Sequence, residues 1–179
     1  DMRATPAITM KRLAAVVALA SLLAGCITPD EGGGGSAPGP VSTVTIGSET
    51  ITTTVANGLT VVVSQALPDD LPPLPTGMTG PVGALDVQIG NVSPVGSSVQ
   101  LTIALQTSVQ RVVKLIDGAW DPFTPDGTTG ASLSADGRTI TVDLVDGGRG
   151  DADGLANGVI ADPIQPVTVD AVSITSTNP

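Results

Sequence analysis

The sequence of 179 residues contains one cysteine, no histidine and no tyrosine. A single cysteine excludes an intramolecular disulfide, and the lack of histidine excludes Cys/His zinc sites, Cys/His nucleophile pairs and Ser/His/Asp triads. Trp120 and Phe123 are the only aromatic residues in the sequence. Because these absences remove the groups that many enzymes depend on, we expect a protein without catalytic activity.

Basic residues are also scarce, with 7 Lys and Arg against 17 Asp and Glu and a formal net charge of -10. Three of the basic residues, Arg3, Lys11 and Arg12, lie ahead of Cys26. The rest of the chain is therefore strongly acidic, and a surface of that sign repels phosphate backbones. We expect no nucleic-acid partner, and cations are the natural complement.

The N-terminal region has the pattern of a secretion signal. A basic pair, Lys11-Arg12, precedes an apolar run over residues 13–23, which is shorter than the roughly 20 residues that a membrane-spanning helix needs. Leu23-Ala24-Gly25-Cys26 follows and resembles the bacterial lipobox, where a peptidase cuts ahead of the cysteine and the thiol receives a diacylglycerol. The alternative is an ordinary signal peptide or a buried apolar helix that happens to end in cysteine.

The lipobox resemblance implies lipidation of Cys26, with residues 1–25 as upstream sequence and signal peptide. Two or three acyl chains hold a protein on a bilayer almost permanently, so the membrane is an expected partner. Ile27 stands where an aspartate would favour inner-membrane retention, which points to the outer membrane of a bacterial cell envelope, on its periplasmic or surface-exposed face. Residues 26–40, lipidated cysteine included, are dominated by Gly and Pro and predict a flexible tether.

Beyond residue 40, runs of β-branched residues recur about every ten residues, with turn residues between them. This spacing predicts an all-β fold over residues 41–179, an antiparallel β-sandwich of immunoglobulin-like or Greek-key type. The predicted strands are residues 41–46, 50–55, 59–64, 85–89, 98–106, 111–116, 139–145 and 167–174. Asn57-Gly58 predicts a type I′ hairpin turn, and Asp117-Gly118 and Asp136-Gly137 repeat that chemistry.

Two features fall outside the predicted strands. The proline-rich residues 67–81 cannot form a central strand, because proline donates no ladder hydrogen bond. We expect this segment to cross between sheets or to follow an edge, unless it marks a boundary between two subdomains. Trp120 and Phe123 each follow a predicted strand, where a core side chain is the expected role and a ligand platform the alternative.

Residues 71–166 resemble the choice-of-anchor U domain of bacterial surface proteins. The matching segments are LPPLPTGMTGPVGALDVQIGNV, VVKLIDGAW, ADGRTITVDLVDGG and GRGDADGLANGVIADP, in that order. The sequence departs from the family at Ile164-Gln165-Pro166, where members usually carry Gly-Pro. The family brings no established activity, so the resemblance implies a location rather than a reaction.

The acidic segment of residues 146–162 is the one stretch that suggests binding chemistry. Calcium takes six to eight oxygen ligands, and Asp-x-Asp-Gly-x-x-Asn places such oxygens on a tightly turning backbone. The segment also resembles half of a thrombospondin type 3 calcium repeat, although Leu155 stands where an EF-hand needs an oxygen. The candidate ligands are Asp146, Asp151, Asp153, Asn157 and Asp162. The alternative is that these side chains cap turns by accepting hydrogen bonds from backbone amides.

These observations predict a lipid-anchored cell-envelope protein, monomeric or weakly self-associating, whose β-sandwich is a structural or interaction module without catalysis. The sequence does not identify the protein or surface polymer that it would contact. The alternative is a calcium-dependent ligand-binding or adhesion module that uses residues 146–162, and calcium is then the one expected cofactor.

Overall fold

The computed structural model describes residues 39–66 and 71–170, which form eleven β-strands. The predicted signal peptide and Cys26 lie outside the described residues. The strands are β1 Val41–Ile46, β2 Glu49–Thr54, β3 Thr60–Gln65, β4 Met78–Thr79, β5 Leu85–Gly90, β6 Ser98–Ala104, β7 Arg111–Ile116, β8 Ala119–Pro122, β9 Gly130–Leu133, β10 Thr139–Val145 and β11 Ile160–Val169. Over these two stretches of chain, no helix is long and apolar enough to cross a membrane.

The strands form two antiparallel sheets that pack against each other. One sheet has the order β1-β2-β6-β10-β9, and the other has the order β3-β5-β11-β7-β8, with β4 paired to the end of β11. The predicted all-β, antiparallel sandwich is therefore confirmed. The immunoglobulin-like subtype stays a prediction.

The main core lies between the sheets, because strand residues alternate between buried and solvent-facing positions. In β6, for example, Val99, Leu101 and Ile103 are buried and the residues between them are more exposed. Each fully buried side chain of this size contributes about 1.5–3 kcal/mol by leaving water. The other fully buried aliphatic residues of this core are Ile51, Leu85, Val87, Ile89, Ile140, Val142, Leu144, Ile160 and Ile164.

A second, smaller cluster covers the other face of the β11 sheet. It consists of Ala84, Val113, Trp120 and Val167, with Ala66, Leu71, Leu74, Met78 and Leu115 packed against it. The Trp120 Nε1–H donates to the Pro72 carbonyl oxygen at 2.8 Å, which fastens the proline-rich segment to this face. That segment joins β3 to β5, which are neighbours in one sheet, so it does not cross between sheets. Trp120 and Phe123 are both buried, as expected for core side chains.

Two predicted turns differ from the structure. At Asp136-Gly137, between β9 and β10, only Gly137 has a positive φ, so the type I′ turn predicted there is wrong. The Asn57-Gly58 turn connects β2 to β3, which belong to different sheets, so the hairpin predicted there is wrong. Gly58 has a positive φ of 91° while Asn57 does not, which is typical of a type II turn rather than type I′. Asp117 and Gly118 both have positive φ and close the β7–β8 hairpin, as the sequence predicted.

Two prolines lie in β11, the central strand of its sheet. Proline lacks the N–H that a ladder requires, so it is normally excluded from such a strand. Here Pro163 comes one residue before pairing with β7 begins at Ile164. Pro166 lies between the end of pairing with β5 at Ile164 and the start of pairing with β4 at Thr168. Pro163 is still paired with Asp86 of β5 and Pro166 with Val112 of β7, so each proline meets a gap in the ladder on one side of β11 only.

Candidate functional site

Residues 146–159 of the acidic segment form the connection between β10 and β11, which crosses from one sheet to the other. The connection between β5 and β6, residues 91–97, crosses between the sheets at the same end of the sandwich, because Val145 at the end of β10 pairs with Ser98 at the start of β6. Backbone hydrogen bonds from Val92 to Gly158 and from Asp146 to Ser97 join the two connections. The candidate site is thus built on a pair of adjoining sheet-crossing loops.

Asp146 holds these two loops together. Its Oδ2 accepts backbone N–H bonds from Gly96 at 2.8 Å and from Gly158 at 2.9 Å, and its Oδ1 accepts one from Asn157 at 3.2 Å. The side chain is only 2% exposed. The Gly96 N–H, followed by those of Gly158 and Asn157, lowers the pKa of the Asp146 carboxyl against the opposing effect of burial. The group is therefore an ionised internal cap.

Asp151 performs a similar function at the start of β11. Its Oδ2 accepts the N–H of Gly147 at 2.8 Å and its Oδ1 accepts that of Ala161 at 3.1 Å. The Ala152 N–H donates in turn to the Ala161 carbonyl oxygen at 2.8 Å. Asp151 thereby fixes the loop to the first residues of the strand that follows.

Asp153 and Asn157 lie on the exposed side of the loop. Asp153 Oδ1 accepts the N–H of Leu155 at 2.8 Å, and its Oδ2 accepts a hydrogen bond from Asn157 Nδ2 at 2.9 Å. Asn157 Oδ1 accepts the N–H of Val159 at 2.9 Å. These are local turns in which a side chain bonds to the backbone two residues later.

Asp162 is not a loop residue. It lies in β11 between Ile160 and Ile164, faces the main core and is 0% exposed. Its Oδ1 lies 2.7 Å from Nζ of Lys114, which is 1% exposed and projects from the neighbouring strand β7. This is an ion-pair contact by distance but lacks the angles of a hydrogen bond, so neither carboxylate oxygen has a hydrogen-bond donor among the described residues.

The Lys114 amine is surrounded by other fixed groups. Nζ donates to the Gly150 carbonyl oxygen at 2.5 Å and lies 4.4 Å from the centroid of the Phe123 ring. Arg149 lies over the same ring, with Cζ 4.5 Å from the centroid, and its Nη1 contacts Asp126 Oδ2 at 3.1 Å. Phe123 is therefore in contact with two basic side chains, one buried and one at the surface.

The five predicted ligands do not converge. Over residues 39–66 and 71–170, no group of three or more acidic, histidine or cysteine side chains is placed so that it could hold a metal ion. Asp146 and Asp151 direct their oxygens at backbone amides, while Asp162 points into the core. These contacts are the ones that the turn-capping alternative requires. The calcium hypothesis stays a prediction.

A groove of about 390 Å³ lies elsewhere on the surface, against β6 and β10. Asp143 is the one charged residue among those that line it, and its Oδ1 accepts a hydrogen bond from Gln100 Nε2 at 3.0 Å. The groove therefore does not bring together two ionisable groups of the kind that general acid–base catalysis uses.

Sequence reasoning missed Lys114, Phe123 and Arg149 as parts of this region. The sequence does contain a signal for Lys114, a lone lysine in the apolar run of residues 112–116. Lys114 lies two residues after Val112, so both side chains are on the core-facing side of the strand. No comparable signal marks Arg149, since its contacts come from residues that are distant in the chain.

No family model, curated protein or solved structure matches this chain. The resemblances to bacterial lipoproteins and to the choice-of-anchor U domain therefore stay predictions.

Proposed function

We propose that this chain is a lipid-anchored protein of the bacterial cell envelope, with a β-sandwich that serves as a structural or interaction module without catalysis. The proposal that the β-sandwich is a structural or interaction module rests on the hydrogen bonds that the loop carboxylates accept. Asp146 and Asp151 bind five backbone N–H groups between them, so the carboxylates of this loop maintain the shape of one end of the sandwich.

The anchoring half rests on the sequence of residues 10–26. A basic pair, a short apolar run and Leu23-Ala24-Gly25-Cys26 agree in order and spacing with a lipoprotein signal. The residues after Cys26 support the outer membrane as the destination. A protein or a surface polymer is the class of partner that an acidic, tethered module would meet there, and the chain acts as a monomer.

Mass spectrometry of the protein extracted from membranes tests the anchor. We expect an N-terminal peptide that starts at Cys26 and carries acyl chains, and we expect Cys26→Ala to lose both processing and membrane fractionation. Ser36→Ala in the tether is the matched control and leaves both unchanged. A wild-type protein that keeps Met10 and fractionates as soluble would refute the anchor while leaving the module untouched.

Calcium-dependent binding is the alternative function, and it would use Asp153 and Asn157 on the exposed side of the loop. Isothermal calorimetry with calcium separates the two functions. A structural module gives no saturable heat, and its thermal midpoint is the same in calcium and in EDTA. Saturable binding that Asp153→Asn abolishes would establish the alternative instead.

A further inference from the structure

Lys114 and Asp162 form a contact inside a core that is otherwise largely apolar, and packing of that core does not by itself require such a pair. A primary amine and a carboxyl group lie 2.7 Å apart on adjacent strands, both almost fully shielded from water. Oδ1 is bonded to Cγ, so the amine nitrogen is separated from the carboxyl carbon by at most the Nζ–Oδ1 contact and one C–O bond. Ile160, Ile164 and Phe123 belong to the main core and restrict the movement of both side chains.

Burial favours the uncharged forms of this pair. An ammonium and a carboxylate lose their hydration when they are buried, and transfer of one proton from Lys114 to Asp162 gives a neutral amine and a carboxylic acid. Burial accordingly lowers the pKa of Lys114 and raises the pKa of Asp162, against the mutual attraction of the two charges. A neutral amine has the free electron pair that a nucleophile needs.

We propose that Lys114 and Asp162 become joined by an amide bond between Nζ and Cγ, which makes this pair a site of intramolecular self-modification. Nζ attacks Cγ, one C–O bond breaks, and the oxygen leaves with two protons as water. One proton comes from the amine and the other is already on the carboxylic acid. No oxidant, reductant or other reactant is consumed, and fixed proximity replaces the activation that the same reaction needs in solution.

The surroundings fit the product better than the ion pair. An amide retains one N–H on Nζ, and the Gly150 carbonyl oxygen already accepts a hydrogen bond from that nitrogen. Asp162 now has two buried oxygens without hydrogen-bond donors, whereas the amide would have only one such oxygen, because the other leaves as water. The amide cannot ionise, so the product avoids the desolvation cost of a buried ion pair. The bond would join β7 to β11 at the centre of the six-stranded sheet.

A tryptic map of the folded full-length protein tests the bond directly. Cleavage after Arg111, Arg138 and Arg149, with Lys114 blocked, gives peptide 112–138 linked to the peptide that begins at Gly150. The mass of the linked species is lower than the sum of its parts by one water, about 18 Da. Fragmentation of the species locates the link to Lys114 and Asp162.

Two variants complete the test. Lys114→Arg keeps a long basic side chain but removes the primary amine, so we expect no linked species. Asp126→Asn, which alters the surface partner of Arg149, keeps the linked species at the wild-type level. Tryptophan fluorescence of Trp120 verifies that each sample is folded. Recovery of free peptides 112–114 and 115–138 from folded wild-type protein, with no linked species, would overturn the proposal, and so would a link at other residues.

Discussion

Asp146 Oδ2 accepts a hydrogen bond from the backbone N–H of Gly96, 50 positions earlier in the chain, at 2.8 Å. The same carboxylate accepts the N–H groups of Asn157 and Gly158. One buried side chain thereby satisfies three backbone donors from two loops that cross between the sheets. The end of the sandwich is a single hydrogen-bonded unit rather than two independent loops.

We expect Asp146→Asn to lower the thermal midpoint by at least about 3 °C. The asparagine NH₂ would face a backbone N–H whose hydrogen bond a carboxylate oxygen accepts in the wild type. Asp121→Asn is the matched control, because the Asp121 side chain is exposed on the short strand β8. Differential scanning calorimetry measures both. Equal midpoints for Asp146→Asn and the control would contradict the role of the cap.

The stability that Asp146 contributes depends on pH with a defined sign. Its folded-state pKa is lowered, chiefly by the Gly96 N–H, below the unfolded value of about 3.9. The contribution is therefore present above about pH 4 and is lost as the pH falls through the folded-state pKa. The difference in thermal midpoint between wild type and Asp146→Asn should shrink as the pH is lowered further below about 4. A difference that stays constant over this range would show that ionisation is irrelevant.

Removal of one member of the buried pair should cost about 3–5 kcal/mol of unfolding free energy, because it leaves the other group buried without its partner. We expect this loss for Lys114→Met and for Asp162→Leu, measured by denaturant unfolding. The double variant replaces both groups with apolar ones and should be less destabilised than either single variant. Additive losses in the double variant would mean that the two residues do not interact.

Gly150 lies against the buried amine at a position where a side chain has no room. Its φ is +94°, and a Cβ would lie 2.6 Å from Lys114 Nζ and 2.8 Å from Phe123 Cζ. Gly127 has a similar φ of +97° but nothing within 4 Å. Gly150→Ala should therefore destabilise the fold by about 1–3 kcal/mol more than Gly127→Ala. Equal losses would indicate that only backbone strain matters.

The sequence predicted seven of the strands to within two residues because their apolar residues alternate with polar ones. The predicted bounds of β1, β7 and β10 coincide with those observed. It failed for β8 and β9, which have four residues each, and for β4, which has two. Such short strands form because longer neighbouring strands offer an edge to pair with. Their own residues do not show which strand will be their neighbour, so the sequence does not predict them. The last strand was predicted at residues 167–174, beyond Pro163 and Pro166, whereas β11 begins at Ile160.

The acidic segment was predicted at the right place, but the sequence left its role open. Asp, Asn and Gly at that spacing fit either metal ligation or turn capping, and the direction of each side chain depends on where the crossing loops meet. Asp162 was assigned to the loop, whereas its position in β11 points it into the core. Lys114 could be recognised as its partner only after β7 and β11 were known to be neighbours.

The position of β11 has a consequence for the order of assembly. It is the last strand of the described chain, yet it lies in the middle of its sheet and pairs with β5, β4 and β7. Before residues 160–169 are available, the pairs β3–β5 and β7–β8 have no strand between them. Contacts so distant in sequence form slowly, because a long loop must be closed before they are made. A chain that emerges from its N-terminus therefore cannot complete this sheet until residues 160–169 have been delivered.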